Sequence, residues 1–184
     1  MTHAPNFSEA RILIGHQSTI TSKLYDSILR GFGIRHIELV GDVKAARQAL
    51  AGGWIDLAIL DNSLGADDTR RIVAEIRRSE TATAREIPIL LTYGHSRYRD
   101  VLASRDSGAN MVMTTPLTAT AIYDRLAWLA LKPRPFVESE PYCGPCRRIN
   151  VDRMGAAKAR RATDVRNADP ADRTAADSEL AIVG

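Results

Sequence analysis

Hydrophobic positions along this chain switch back and forth between two periods. Five short runs rich in aliphatic and β-branched residues predict strands: "RILIG" (11–15), "RHIELV" (35–40), "IDLAILD" (55–61), "IPILLT" (87–92) and "NMVMT" (110–114). The third and fourth are apolar almost throughout, as strands covered on both faces of a parallel sheet must be. Between the runs, apolar residues recur at helical spacing. Ile20, Leu24 and Ile28, with Phe32 one turn on, predict the buried stripe of a first helix, capped by Ser18 or Thr19 and ended by Gly31 and Gly33. Asp42 caps a second helix whose Val43, Ala46, Ala49 and Leu50 face inward. A third turns Ile72, Val73 and Ile76 inward and its paired arginines to water. A fourth, near Tyr98 to Arg105, has only Val101 and Leu102 as strong apolar residues. A fifth carries Ile122, Leu126 and Leu129 before Pro133 stops it. Strands alternating with helices predict an α/β fold, a doubly wound (βα)5 layout with a parallel five-stranded sheet closing near Leu131.

Composition changes at the ends. Residues 1–9 read as an N-terminal arm, 10–132 as the domain, 133–150 as a Pro-rich extension and 151–184 as a tail. The extension, "KPRPFVESEPYCGPCRRIN", is too rich in proline for a long helix, and extended or polyproline structure lying on the domain is expected. The tail is rich in Ala, Arg and Asp and reads as disordered or transiently helical around Met154 to Arg161. The whole chain of 184 residues is 45% hydrophobic and 26% charged, an ordinary balance for one soluble domain. The net charge of +3 points to no particular partner. A basic window from Arg147 to Arg166 lacks aromatic residues to stack on bases, so it reads as a solvated tail and not as a nucleic-acid surface. No apolar run approaches the roughly 20 residues of a membrane helix, and the N-terminus lacks a leader pattern; the expected location is the cytoplasm.

Candidate chemistry gathers where the strands end, since open parallel sheets place their crevice at the carboxyl ends. His16 and Gln17 follow the first strand, Asp61 ends the third, Thr92 ends the fourth, and Thr115-Pro116 follows the fifth. A carboxylate closing an apolar strand is costly unless solvated or paired, so Asp61 marks the mouth of the sheet. His16 reads first as a satisfied loop histidine; the rarer alternative is a transition-metal ligand set of His16 and Asp61, with His95 as an optional third ligand. "GHQS" has one glycine and no terminal lysine, so it is no phosphate-cradling loop. Neither a GxSxG elbow nor a Cys–His arrangement supports nucleophilic catalysis, and no enzyme activity is expected. "CGPC" at Cys143 to Cys146 has thioredoxin-like spacing but lies in the Pro-rich extension, away from any helix start; it reads as an incidental pair outside the core that can be replaced without consequence.

The ordered set of "RILIG", "IDLAILDNSLG", "IPILLT" and "GANMVMTTPL" resembles the receiver domains of response regulators across residues 10–132. "LRGFGIRHIELVGDVKAA" is similar to the first helix and second strand of single-domain receivers of the α-proteobacterial type, and "PRPFV" with the following "Y.GP.RR" to their short tail. The resemblance implies a flavodoxin-like fold with strand order 2-1-3-4-5 and a place in two-component phosphorelay signalling. It makes Asp61 the phospho-acceptor position, Thr92 and Thr115 the phosphoryl-binding and switch positions, and Mg²⁺ the cofactor. It implies a sensor histidine kinase or another signalling protein as partner, and a homodimer through the faces of the fourth and fifth helices. The sequence departs from the pattern in three places. His16 and Gln17 stand where the family has an acidic pair, Thr115 stands for its lysine, and Val112 for its mobile aromatic. One carboxylate in place of three predicts weak Mg²⁺ binding. A hydroxyl in place of the lysine leaves the phosphoryl without a cationic partner. Two functions stay open, a phosphorylatable receiver and a phosphorylation-independent pseudo-receiver acting as a protein-interaction module. Thr115-Pro116, at the family's Lys-Pro turn, is expected to be cis.

Overall fold

The computed structural model of the chain describes residues 7–94 and 98–147. His95, most of the N-terminal arm, and the tail at 151–184 lie outside them. Five strands form the sheet: β1 (Arg11–Gly15), β2 (His36–Val40), β3 (Leu57–Asp61), β4 (Ile89–Tyr93) and β5 (Met111–Thr114). All pair in parallel in the order β2-β1-β3-β4-β5, the flavodoxin-like receiver topology. Helices α1 (Thr19–Gly31), α2 (Val43–Ala51), α3 (Ala66–Arg77), α5 (Tyr98–Asp106) and α6 (Ala119–Leu131) fill the connections. Two short pieces escaped the periodicity reading, a 3-10 turn at Asn62–Leu64 and the five-residue α4 (Ala82–Glu86). Neither is long enough to repeat an apolar position. The predicted fourth and fifth helices are thus α5 and α6.

Alternation along the strands divides the core into two layers. Leu13, Ala58, Leu60, Ile89 and Leu91 face α2 and α3, packing with Leu50, Ile72 and Val73. Ile12, Ile14, Leu57, Ile59 and Leu90 face α1 and α6, packing with Leu29, Ile122 and Leu126. Ser18, Asp42 and Thr118 cap α1, α2 and α6 by accepting from the backbone N–H three residues on. Among the described residues, no helix is long and apolar enough to cross a membrane.

The inward face of α1 is rotated from the expected one. Ile20 and Leu24 are 83% and 60% exposed, while Ser22, Tyr25 and Leu29 are buried. The Ser22 hydroxyl makes this possible by donating to the carbonyls of His16 and Ser18, so a polar side chain enters the core satisfied.

A second correction concerns α3. Arg77, expected in water, is 1% exposed. Its Nε donates to Gly108 O (2.8 Å), Nη1 to Arg85 O (2.6 Å) and Ile87 O (2.8 Å), and Nη2 to Asn110 Oδ1 (2.7 Å). Burial lowers its pKa to about 10, which leaves it charged at neutral pH. The guanidinium thereby ties α3 to the segments that enter β4 and β5 at the amino end of the sheet.

The Pro-rich extension covers this node as extended structure, one of the two forms expected, folded into an antiparallel hairpin of β6 (Phe136–Ser139) and β7 (Tyr142–Pro145). Its two strands are four residues each, below the length at which alternation is readable. The extension's cysteines are buried, contrary to the reading that put them outside the core. Cys143 Sγ donates to Arg77 O at 2.8 Å. Arginines flank the hairpin through aromatic faces, Arg85 on Phe136 and Arg147 on Tyr142, while Arg134 lies over Trp128 of α6 just before it. Gly108 sits against it with φ +99°, and a Cβ there would meet Arg77 Cγ at 2.8 Å and Cys143 O at 2.9 Å.

Candidate functional site

The order β2-β1-β3 reverses direction at β1, which opens a crevice between the loops after β1 and β3. Asp61, the last residue of β3, lies in it and is 6% exposed. Its chain position decides its partners. Because β3 runs directly into the 3-10 turn, Asp61 is that turn's N-cap, and Oδ1 accepts from Ser63 N at 2.9 Å. Because β4 pairs with β3 in register Asp61↔Thr92, the fully buried Thr92 hydroxyl donates to Oδ2 at 2.6 Å. Both carboxylate oxygens are therefore engaged by the protein's own donors.

His16 closes the third side. Its Nδ1 accepts from Ser18 N at 2.8 Å, which places the proton of a neutral ring on Nε2, 3.5 Å from Asp61 Oδ1. The loop is fixed to its neighbour by Gln17 N donating to Ser63 Oγ at 3.1 Å, while the Gln17 side chain is exposed. From below, buried Tyr25 of α1 completes the surround. Its phenol pKa is raised first by burial and then by the Asp61 charge, with the Thr92 hydroxyl opposing.

Of the expected residues, the structure brings His16, Asp61 and Thr92 together. Gln17 joins through its backbone alone. Thr115 turns away: its hydroxyl donates to Tyr93 O at 3.3 Å, in the loop where Thr115-Pro116 is cis as expected. His95 lies outside the described residues. Ser63 and Tyr25 were missed. Ser63 is legible as the acceptor's turn partner two residues on, and Tyr25 emerges once the α1 stripe is moved by one position.

These donors do not fit a Mg²⁺ site. Mg²⁺ favours hard oxygen ligands and octahedral geometry. Here one carboxylate is present, each of its oxygens already accepting one hydrogen bond, and its neighbours offer an imidazole and an amide. Among the described residues no three His, Cys, Asp or Glu side chains group to hold a metal.

No family model matches the chain. The transcriptional regulatory protein TcrA of Mycobacterium tuberculosis is 29% identical over 102 residues, 54% of this chain and 39% of that protein. The chain thus spans about two fifths of the length of the curated relative it matches. Several solved structures share its fold. The receiver domain of the sensor histidine kinase PA1611 from Pseudomonas aeruginosa, solved with a magnesium ion in its active-site cleft, matches at TM-score 0.56 and 22% identity, over 65% of this chain and 94% of that one. The receiver domain of a histidine kinase from Syntrophus aciditrophicus matches at 0.56 and 24%, over 71% and 98%. A CheY-like response-regulator receiver domain from Methanospirillum hungatei matches at 0.57 and 15%, over 64% and 90%. The five-stranded domain therefore has the receiver fold.

Proposed function

We propose that this chain is a receiver-type protein of two-component signalling that works by protein contact, with its Asp61 site closed to phosphoryl transfer. The observation that carries this reading is the double engagement of Asp61, by Thr92 Oγ1 at 2.6 Å and Ser63 N at 2.9 Å, with His16 beside it. A phosphoryl acceptor needs a free oxygen for attack and neutralisation of the charge that spreads over the transferring group. Asp61 has each oxygen held by a donor and lacks that neutralisation, because imidazole and amide replace the acidic pair and the Thr115 hydroxyl faces the backbone of β4. Support for the signalling assignment comes from the named relatives, a transcriptional regulatory protein and receiver domains of histidine kinases.

On this reading the partner is a sensor histidine kinase or another signalling protein of the cytoplasm. The contact, or a homodimer, uses the α5–α6 face, and the chain catalyses nothing itself. Mg²⁺ binds weakly at best. A second reading, a phosphorylatable receiver, is favoured by one observation: a buried hydroxyl at β4 touches the strand-end carboxylate, where the resemblance puts the phosphoryl's hydrogen-bond donor.

A phosphotransfer assay with a labelled histidine kinase from the same cell and Mg²⁺ separates the two. The expected result is no label on Asp61, with kinase binding kept in Asp61→Asn and lost in Tyr98→Asp on exposed α5. Label that disappears in Asp61→Asn would establish the second reading instead.

A further inference from the structure

Cys143 lies in β7 and Cys146 just beyond it; both are 7% exposed and neither is bridged. The strand holds them apart. β7 pairs with β6 residue for residue, from Ser139↔Tyr142 to Phe136↔Pro145, and Cys146 N extends the ladder by donating to Pro135 O at 2.8 Å. Three extended residues span about 10 Å, whereas a disulfide needs its two Cα atoms within roughly 7 Å. Successive side chains of a strand point to opposite faces, so an odd separation also sends the two thiols apart. Cys143 Sγ is turned to Arg77 O, 2.8 Å away. Between the cysteines stand Gly144 and Pro145. A four-residue β-turn brings its end Cα atoms within about 7 Å, and glycine reaches the backbone conformations that such a turn demands. The same four residues are thus a strand while the thiols are free, and close into a ring only by leaving it.

From this geometry we infer that Cys143 and Cys146 are a regulatory dithiol, oxidised by an organic disulfide to an intrachain bond that exists only with the hairpin released. One thiolate attacks a sulfur of the oxidant and expels its other half as a thiolate, leaving a mixed disulfide. The second thiolate attacks that mixed disulfide at the protein's own sulfur, forming the Cys143–Cys146 bond and expelling the remaining half. Two electrons pass to the oxidant, and the two protons given up by the cysteines end on its two thiols. While the hairpin is docked both sulfurs are covered, so the reaction runs through the open form. Opening is within reach because, among the described residues, β6 and β7 pair only with each other, and a lone two-stranded hairpin is marginal in water. Contacts at its edges hold it down: Arg147 to Asp106 at 2.8 Å, Arg85 to Glu138 at 3.3 Å, and Arg147 over the Tyr142 ring at 3.8 Å. These reach α4 and α5, and Cys143 reaches α3, so release is felt by three helices of the domain. Linkage works in both directions. Every contact that docks the hairpin stabilises the dithiol, and the disulfide excludes docking.

The test equilibrates the full chain with oxidised and reduced glutathione and reads it by intact mass spectrometry and hydrogen exchange. The oxidised chain should lose two hydrogens, with the bond mapped to Cys143 and Cys146, and excess reduced glutathione should restore them. Hairpin amides, Cys146 N among them, should then exchange at least about tenfold faster, while those of β1 and β3 keep their protection. Replacing both cysteines by Ser should abolish the response to the oxidant. Arg147→Gln removes an ion pair and a ring contact at the edge of the hairpin. It should shift the glutathione equilibrium toward the disulfide by about fivefold. A pair with a purely structural role would not respond to Arg147. The inference is overturned if only glutathione adducts form, if the disulfide forms with hairpin exchange unchanged, or if Arg147→Gln leaves the equilibrium where it was.

Discussion

Two charged side chains are buried in the described fold, Asp61 at the carboxyl end of the sheet and Arg77 at the amino end. Neither is neutralised by a fixed opposite charge, and both are held by neutral dipoles. Asp61 takes one backbone N–H and one hydroxyl, with an imidazole alongside. Arg77 gives four hydrogen bonds to three carbonyls and an amide oxygen. The difference lies in what covers them. Asp61 lies under short loops at a crevice, whereas Arg77 lies under a hairpin that the chain adds after the last helix. On the proposed reading, the buried charge at the mouth is a site closed to phosphoryl transfer by its neighbours. A buried charge at the foot is a fastening, and removing it leaves several acceptors dry.

The comparison breaks most visibly on stability. Arg77→Met should destabilise the chain by about 4 kcal/mol in urea titration, because four acceptors lose their donor together. Asp61→Asn should stay within about 1 kcal/mol, since the amide oxygen still accepts from Ser63 N or Thr92. Equal losses would mean that the two charges are alike after all. Gly108→Ala comes next, at about 2 kcal/mol, from its positive φ and from the approach of Arg77 Cγ and Cys143 O. Replacing Cys143 and Cys146 together by Ser should cost about 1 kcal/mol. Both are buried, and Cys143 packs its thiol on Arg77 O. An unchanged midpoint would return the pair to the status the sequence suggested.

A smaller effect sharpens the picture at the mouth. Folding raises the Tyr25 pKa above its usual 10.0, by burial first and by the Asp61 charge second. Above pH 10 the unfolded chain therefore releases this proton before the folded one does, and stability falls as pH rises through that window. Arg77 works with the opposite sign in the same range, because its folded pKa is lowered, and Tyr142, also raised, works with the same sign as Tyr25. The difference between wild type and Tyr25→Phe isolates the term. Stability of the variant should fall less between pH 10 and 11, and parallel curves would remove Tyr25 from the Asp61 surround.

How much of this was readable in the chain varies by region. The five parallel strands and the apolar faces of α2, α3 and α6 follow from periodicity, because those elements are long enough to repeat, whereas the strand order comes from the family resemblance. The positions of Asp61, Thr92 and Thr115 follow from strand ends. The α1 stripe misled because Ile20 and Leu24 are better hydrophobes than the Ser22 and Tyr25 that face inward, and Ser22 is tolerated there only through its hydrogen bonds to two carbonyls. Arg77 misled for the same reason. Sequence assigns an arginine to water, and only tertiary structure supplies the oxygens that let it be buried. The orientation of Thr115 toward Tyr93 O was likewise beyond reach, since its rotamer depends on the neighbouring loop.

The most direct measurement is phosphorylation at the mouth. The unmodified chain, treated with Mg²⁺ and acetyl phosphate or beryllofluoride, should show no adduct at Asp61 by mass spectrometry and little change in its spectrum. The triple variant His16→Asp, Gln17→Asp and Thr115→Lys should recover both Mg²⁺ affinity and the adduct, because it restores the missing carboxylates and cation together. Rapid, Mg²⁺-dependent phosphorylation of the unmodified chain at Asp61 would contradict the account and make the Thr92 and Ser63 contacts an open resting state.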